Sequence, residues 1–362
     1  MAMISRFTVD RFRGINSLKV ENLNQINLFV GDNNSGKTSV LEAIQFFRTS
    51  SLLGNAYRIA RQRESIAGIS SAYESFMCMF PRGDNELRIS ISGSYDNKEI
   101  SFTAVGEQAR ILMDAKEIER IRGNLFRAPL GETEADSFKG KLSCMYDGQL
   151  QEEEIEINSF SRMTGIPTNK NNETKIVYVA PFEHLRGSVI NQIIKNEGYK
   201  EICLRAIQLF DPDIEDMMIF KSEVGNYPVE YLKHRKLGNM PLATFGDGIK
   251  KVLVLSNAIA KATGGVLLID EIETAIHKKY YDDIFNFIVK ACKTFKVQLF
   301  ITTHSLEAID GLLATQNYEK QQAEDRISVV TLKKEAERTY SRVLSGRDVA
   351  LNREAFGFEV RL

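Results

Sequence analysis

No tryptophan occurs in this chain of 362 residues, and there are only four cysteines, four histidines and seven prolines. The cysteines (Cys78, Cys144, Cys203 and Cys292) stand far apart and form no C-x-x-C pair. Scattered single thiols give neither a disulfide framework nor a metal site, and they suit a reducing compartment. No apolar run approaches the roughly 20 residues of a membrane-spanning helix. The opening Met-Ala-Met-Ile-Ser-Arg lacks the apolar core of a signal peptide, so a cytoplasmic location without a membrane partner is expected. Excess charge is missing too: 47 Lys and Arg against 48 Asp and Glu leave a net charge of −1. That excludes a globally basic nucleic-acid binder while leaving room for a local basic patch. There is no internal repeat and no low-complexity tract.

What is present is the composition of an ordinary globular protein, 43% hydrophobic and 26% charged. The length exceeds one compact core, which predicts a large domain with an insertion or two domains. Ile4 to Val9 alternates apolar and polar residues as a half-buried strand does. Arg11-Phe-Arg13-Gly14 reads as a turn, Leu18 to Val20 as a second strand, and Ile26 to Val30 as a short buried strand. Between about 51 and 174 the rhythm weakens. Leu87–Ser92 and Ile100–Ala104 read as antiparallel strands with polar turns at Asp96-Asn97 and Asp147-Gly148, and Glu152–Glu154 and Asn169–Glu173 as solvated loops.

Lys175 to Ala180, a continuous apolar run before Pro181, has the look of a buried parallel strand. A helix is expected over Val189–Phe210 and a hairpin around Val229–Leu232. From Pro241 the pattern alternates: helix Ile249–Ala262, strand Gly265–Ile269, helix Lys279–Phe295, strand Val297–Ile301, then a helix from Ser305. This predicts an α/β fold with a mixed, largely parallel sheet covered by helices. Residues 1–50 and 175–362 are expected to form the two parts of that domain, and 51–174 an inserted α+β middle region.

The run Gly31-Asp-Asn33-Asn34-Ser35-Gly36-Lys37-Thr38 fills every fixed position of the phosphate-binding pattern G-x-x-x-x-G-K-[ST]. It lies between the strand ending at Val30 and a helical stretch, Ser39–Phe47. Such a turn points the N–H groups of Asn33 through Ser39 at a polyphosphate. Lys37 would reach the β- and γ-phosphates, and the Thr38 hydroxyl would ligate Mg²⁺. Far downstream, Val266-Leu-Leu-Ile-Asp270-Glu271 puts two acids at a strand's C-terminal end, where α/β folds bind ligands. Asp270 would hold Mg²⁺ and Glu271 would polarise an attacking water. Ile301-Thr-Thr-His304 brings an imidazole to the same sheet edge, placed to sense the γ-phosphate. Phe245-Gly246-Asp247-Gly248 opens a helix just upstream of the acidic strand, a second anion-receptive helix start.

The order of these motifs resembles the ATP-binding-cassette (ABC) ATPases of the SMC/RecF class. Phe245–Gly248 stands where that class carries its signature, and His304 where it carries its switch histidine. Arg11-Phe-Arg13-Gly14 is similar to the N-terminal element whose arginine approaches the nucleotide, a role the resemblance gives to Arg13, with Arg11 the weaker candidate. The class's glutamine-bearing loop is assigned to no residue. Phe-Gly-Asp-Gly-Ile-Lys-Lys-Val and Ile-Asp-Glu-Ile-Glu273-Thr-Ala-Ile-His277 resemble the OLD-family (overcoming lysogenisation defect) ATPases of AAA15/AAA21 type. Gly357-Phe-Glu-Val-Arg361 is similar to the short Gly-x-Asp-x-Arg segment found at the close of such domains.

The resemblance implies binding of ATP and Mg²⁺ and a homo-oligomer with ATP sandwiched between protomers. Many OLD proteins continue into a nuclease domain; unless a nuclease lies within the middle region, an ATPase without an effector of its own is expected here. Stand-alone ATPases of this kind serve two-gene antiphage systems such as PARIS. That implies a separate effector, a nuclease or toxin, and a phage-derived trigger. The alternatives are a RecF-like DNA-binding clamp in repair, or an ATP-binding scaffold with negligible turnover.

Overall fold

In the computed structural model, residues 3–63, 71–81, 86–122, 131–162, 174–186, 188–195, 197–222, 225, 227–318 and 325–361 are described. The chain opens with strands β1 (Ile4–Phe12), β2 (Ile15–Val20) and β3 (Ile26–Val30), followed by helix α1 (Lys37–Ile44). Helices α2 (Leu52–Arg61) and α3 (Ala72–Met77) lead into β4 (Leu87–Tyr95) and β5 (Lys98–Met113). Then come α4 (Ala115–Arg122), β6 (Thr133–Tyr146), β7 (Gln149–Asn158) and β8 (Ile176–Val179). Helices α5 (Ile190–Ile193) and α6 (Glu197–Ile207) precede a meander of β9 (Ile214–Lys221), β10 (Pro228–His234) and β11 (Gly238–Pro241). The rest alternates: α7 (Asp247–Lys261), β12 (Val266–Ile269), α8 (Tyr281–Thr294), β13 (Gln298–Thr302), α9 (Leu306–Leu313), β14 (Ile327–Glu335), β15 (Arg338–Ser345) and α10 (Gly346–Phe356). Among the described residues no helix is long and apolar enough to cross a membrane.

The central sheet has the order β15-β14-β3-β13-β12-β8, parallel throughout except for the antiparallel edge strand β15. The inner strands β3, β13 and β12 are buried on both faces because both faces are covered. Leu28, Leu267, Ile269, Leu299, Ile301 and Val329 point into a core built with α6 to α9. Their neighbours Phe29, Leu268, Phe300 and Val330 point the other way, into a core shared with α1 to α3 and a second sheet. That second sheet is antiparallel, in the order β2-β1-β4-β5-β6-β7. The strands between residues 87 and 158 therefore continue the sheet that β1 and β2 begin, and α1 packs in the same core.

Two turns behave as their residues dictate. Asp96 and Asn97 (φ 53° and 62°), and Asp147 and Gly148 (φ 50° and 76°), both take the left-handed pair that closes a two-residue hairpin. Two expectations need correction. Glu152–Glu154 is not a loop but part of edge strand β7, where Lys141 Nζ lies 2.6 Å from Glu152 Oε2. Charged side chains on an edge strand deter further pairing, which a local reading takes for solvation. The helix expected over 189–210 is broken into α5 and α6, with Glu230 Oε1 of β10 accepting the N–H groups of Ile190 (2.5 Å) and Asn191 (3.2 Å). The polar stretch Asn169–Glu173 lies outside the described residues.

Phe46, just after α1, joins the helix to the second sheet. Its ring stacks on Phe102 (centroids 4.3 Å apart) and meets Phe12 edge-on at 5.5 Å. Phe46→Ala should cost about 3–5 kcal/mol in urea unfolding. A loss below about 1 kcal/mol would mean that α1 is held to the second sheet elsewhere.

Candidate nucleotide site

Parallel pairing puts the C-terminal ends of β3, β13 and β12 side by side, with Leu28 opposite Ile301 and Ile301 opposite Ile269. The phosphate loop follows β3, His304 follows β13, and Asp270 and Glu271 follow β12. One sheet edge thus collects three motifs that the sequence scatters over 274 positions, from Gly31 to His304.

Loop 31–36 is shaped by three left-handed residues, Gly31 (φ 144°), Asn34 (φ 64°) and Gly36 (φ 98°). A Cβ on Gly31 would lie 2.3 Å from the Leu332 carbonyl oxygen, so only glycine fits against β14. Asp32, Asn33 and Asn34 are exposed, Ser35, Lys37 and Ser39 buried, and Gly36 and Thr38 in between. Lys37 Nζ donates to the carbonyls of Gly31 and Asp32, both at 2.8 Å, and burial lowers its pKa to about 8.

Asp270 is 2% exposed and accepts three hydroxyl bonds. Thr302 Oγ1 donates to Oδ1 at 2.5 Å, Thr38 Oγ1 to the same oxygen at 3.2 Å, and Tyr178 to Oδ2 at 3.3 Å. Burial beside this carboxylate pushes the Tyr178 phenol far above its ordinary pKa. These partners are all hydroxyls, and no ion pair reaches the carboxylate among the described residues. Hard oxygen donors from Thr38 and Asp270 suit Mg²⁺.

Glu271 sits at φ 48°, a left-handed backbone that costs a non-glycine residue about 1 kcal/mol or more. Its N–H is held by Thr302 Oγ1 at 2.8 Å, and Thr274 Oγ1 reaches its Oε2 at 3.3 Å. The half-buried His304 donates its backbone N–H to Glu273 Oε1 at 2.8 Å, while its carbonyl accepts from Arg361 Nη1 at 2.9 Å. Glu273 Oε2 is buried with no partner among the described residues.

Arg13 lies in the β1–β2 turn at φ 54° and forms an ion pair with the fully buried Glu42 of α1 (Nε to Oε2 2.8 Å). Arg63 shares that carboxylate (2.7 Å) and donates to Ser39 Oγ at 2.8 Å. Both arginines line a cavity of about 550 Å³ together with Asn16, Phe80, Lys334 and Glu337. Arg11 faces Glu86 instead, at 3.9 Å. Phe245 to Gly248 stand apart: no hydrogen bond or ion pair joins them to the phosphate loop among the described residues. Helix α7 starts from Gly246 without a side-chain cap, and a Cβ on Gly246 would meet nothing within 4 Å. Sequence reasoning missed Arg63, Glu42, Tyr178, Thr302 and Lys251. Only Glu42 carried a local signal, its i+4 spacing from Thr38.

The fold and site define an ABC-type ATPase. The chain belongs to the AAA21 family, described as "AAA domain, putative AbiEii toxin, Type IV TA system", whose family model matches residues 26–310. An ATP/GTP phosphatase of Helicobacter pylori is 22% identical over 336 residues, covering 86% of this chain and 87% of that protein. The DNA replication and repair protein RecF of Pseudoalteromonas translucida is 32% identical over 104 residues, 29% of this chain and 25% of its own length. Among solved structures, the Smc head domain derived from Pyrococcus furiosus, with an extended coiled coil and bound to the C-terminal domain of ScpA, shares the fold. Its TM-score is 0.52 at 10% identity, covering 99% of this chain and 100% of that one.

Lys251 of α7 is fully buried, its Nζ donating to the Pro181 carbonyl at 2.9 Å. Burial lowers its pKa to about 8 against the attraction of Asp270 and Glu271. Below about pH 8 both folded and unfolded chains carry the proton, and the folded chain bears the cost of the buried charge. Between pH 8 and 10.5 only the unfolded chain keeps it, so stability contributed by this group rises with pH. The stability difference between wild type and Lys251→Met should therefore move in favour of wild type as pH is raised from about 7 to 10. A difference independent of pH in thermal melts would rule out this shift.

Proposed function

We propose that this chain is a Mg²⁺-dependent ATP hydrolase that works as a nucleotide-driven switch in the cytoplasm. The observation that carries the reading is the convergence of the phosphate loop, Asp270, Glu271 and His304 on three adjacent strand ends. In this reading the N–H groups from Asn33 to Ser39 cradle the phosphates, and Lys37 leaves its carbonyls for the β- and γ-phosphates. Thr38 and Asp270 would hold Mg²⁺, which supplies charge neutralisation at the phosphoryl oxygens. Glu271 takes the proton of the attacking water, and His304 faces the γ-phosphate. Arg13, with Arg63 beside it, faces the nucleotide from the cavity next to Ser39. The similarity to an ATP/GTP phosphatase supports hydrolysis and makes GTP a second substrate to assay.

The signature residues Phe245, Gly246, Asp247 and Gly248 act in this scheme on a second protomer. Helix α7 would close the far side of a nucleotide held by the partner's phosphate loop, giving a homodimer with ATP between the subunits. Support comes from the open, uncapped start of α7. The output would be control of a separate effector, a nuclease or toxin, in antiphage defence of the OLD or PARIS kind, answering a phage-derived trigger. The Type IV TA description of the family is in keeping with a toxin-linked role. The match to RecF favours a second reading, a DNA-binding clamp in repair. Duplex-DNA affinity that falls steeply with salt would support it, and undetectable binding at low salt would remove it.

Glu271→Gln should keep ATP affinity and lose turnover by about a hundredfold or more. Wild-type hydrolysis by that variant would displace Glu271 as the base. Lys37→Ala should weaken nucleotide binding itself, and unchanged affinity would remove the phosphate-loop assignment. For the shared site, Gly246→Asp should bind ATP but neither associate nor hydrolyse. Mixed with Lys37→Ala, it should regain activity, because one site in the mixed dimer is intact. A monomer with full turnover, or mixtures that never recover, would sink the composite site.

A further inference from the structure

We infer that Arg361 is a positioning residue for His304, so that the segment following α10 sets the aim of the switch histidine. The inference rests on the hydrolytic reading above and adds to it a role for Gly357–Arg361, which that reading leaves unused. The segment is built residue by residue. Gly357 ends α10 in the left-handed conformation (φ 63°) and turns the chain back along the sheet. The Phe358 carbonyl accepts from Arg353 Nη1 at 2.8 Å. Val360 is fully buried in the helical core, and its carbonyl accepts from Thr331 Oγ1 of β14 at 2.7 Å. A turn at Val360-Arg361 then brings Glu359 and Arg361 together, with the Arg361 N–H donating to Glu359 Oε1 at 3.1 Å.

Glu359 grips Arg361 through two parallel bonds, Nε to Oε1 and Nη2 to Oε2, both 2.8 Å. This fork fixes the guanidinium plane and leaves Nη1 to donate to the His304 carbonyl at 2.9 Å. On the other side of the same residue, Glu273 Oε1 takes the His304 N–H at 2.8 Å. His304 is therefore held at both backbone ends: one clamp from the loop after Asp270-Glu271, the other from beyond α10. Arg353 ties the arrangement to α9 through Asp310 (Nη2 to Oδ2 2.7 Å), and α9 begins two residues after His304. Arg361 also lies within the electrostatic reach of Asp32 in the phosphate loop. His304 thus lies between Glu273 of the carboxylate loop and Arg361 of the segment after α10.

A positioning role predicts loss of turnover with little loss of binding. Arg361→Ala should lower kcat about ten- to hundredfold while the affinity for a fluorescent ATP analogue stays within about twofold. Arg361→Lys, which can donate but cannot fork, and Glu359→Gln should fall between Ala and wild type. His304→Ala combined with Arg361→Ala should be no slower than His304→Ala alone, because both act through one imidazole. Wild-type kcat in Arg361→Ala, or losses that multiply in the double variant, would overturn the inference. If Arg361→Ala does not fold, wild-type kcat in both Arg361→Lys and Glu359→Gln overturns it equally. Failure of the underlying reading looks different: Lys37→Ala and His304→Ala would then hydrolyse ATP at the wild-type rate, and the inference falls with it.

Discussion

The buried carboxylate of Asp270 is the constraint on which the rest of the site depends. Removing a negative charge from water is expensive, so donors must converge on it. They come from three different elements: Thr38 from α1, Thr302 from β13 and Tyr178 from β8. Convergence requires β8, β12 and β13 to be parallel and level, with Ile269 opposite both Val179 and Ile301. A slip of one residue in either strand would turn Thr302 or Tyr178 to the other face and leave the charge bare. Thr302 does more than solvate Asp270. Its hydroxyl oxygen also receives the Glu271 N–H, so the same side chain holds the left-handed turn that presents Glu271.

The antiparallel sheet matters to this site through α1. The helix that follows the phosphate loop packs its apolar residues Val40, Leu41 and Ile44 into the core beneath that sheet. Its one buried acid, Glu42, is neutralised by Arg13 from the β1–β2 turn and by Arg63 from beyond α2. Two cations against one anion leave a positive surplus beside Ser39, at the rim of the cavity that both arginines line. The loop between β3 and α1 is thus backed by a fixed excess of positive charge rather than by a freely moving side chain.

Contiguous motifs were legible from sequence because their chemistry is local. Gly31–Thr38, Asp270-Glu271 and His304 each sit at a strand end that its own neighbours announce, and their strands could be read from apolar runs. The support around them could not. Tyr178 meets Asp270 across 92 positions and Arg361 meets His304 across 57. Such pairs exist only once parallel strands are ordered, and single-chain periodicity does not give strand order. The same limit explains Glu152–Glu154, whose strand character comes from pairing with β6, and the start of α5, which Glu230 on a later strand caps.

Charge balance around Asp270 has a further consequence. Lys37 and Lys251 are both buried and both feel the attraction of Asp270 and Glu271, yet neither forms an ion pair with them among the described residues. Each is instead held by backbone carbonyls, Lys37 by Gly31 and Asp32, Lys251 by Pro181. A direct lysine–carboxylate pair would neutralise both partners and fill the space between them. Carbonyl ligation keeps the opposite charges near but separate, and burial lowers both lysine pKa values to about 8. In the proposed function, a polyanion would enter toward Lys37 and a cation toward Thr38 and Asp270. On that proposal, separated charges of this kind would favour paired binding of nucleotide and metal over binding of either alone.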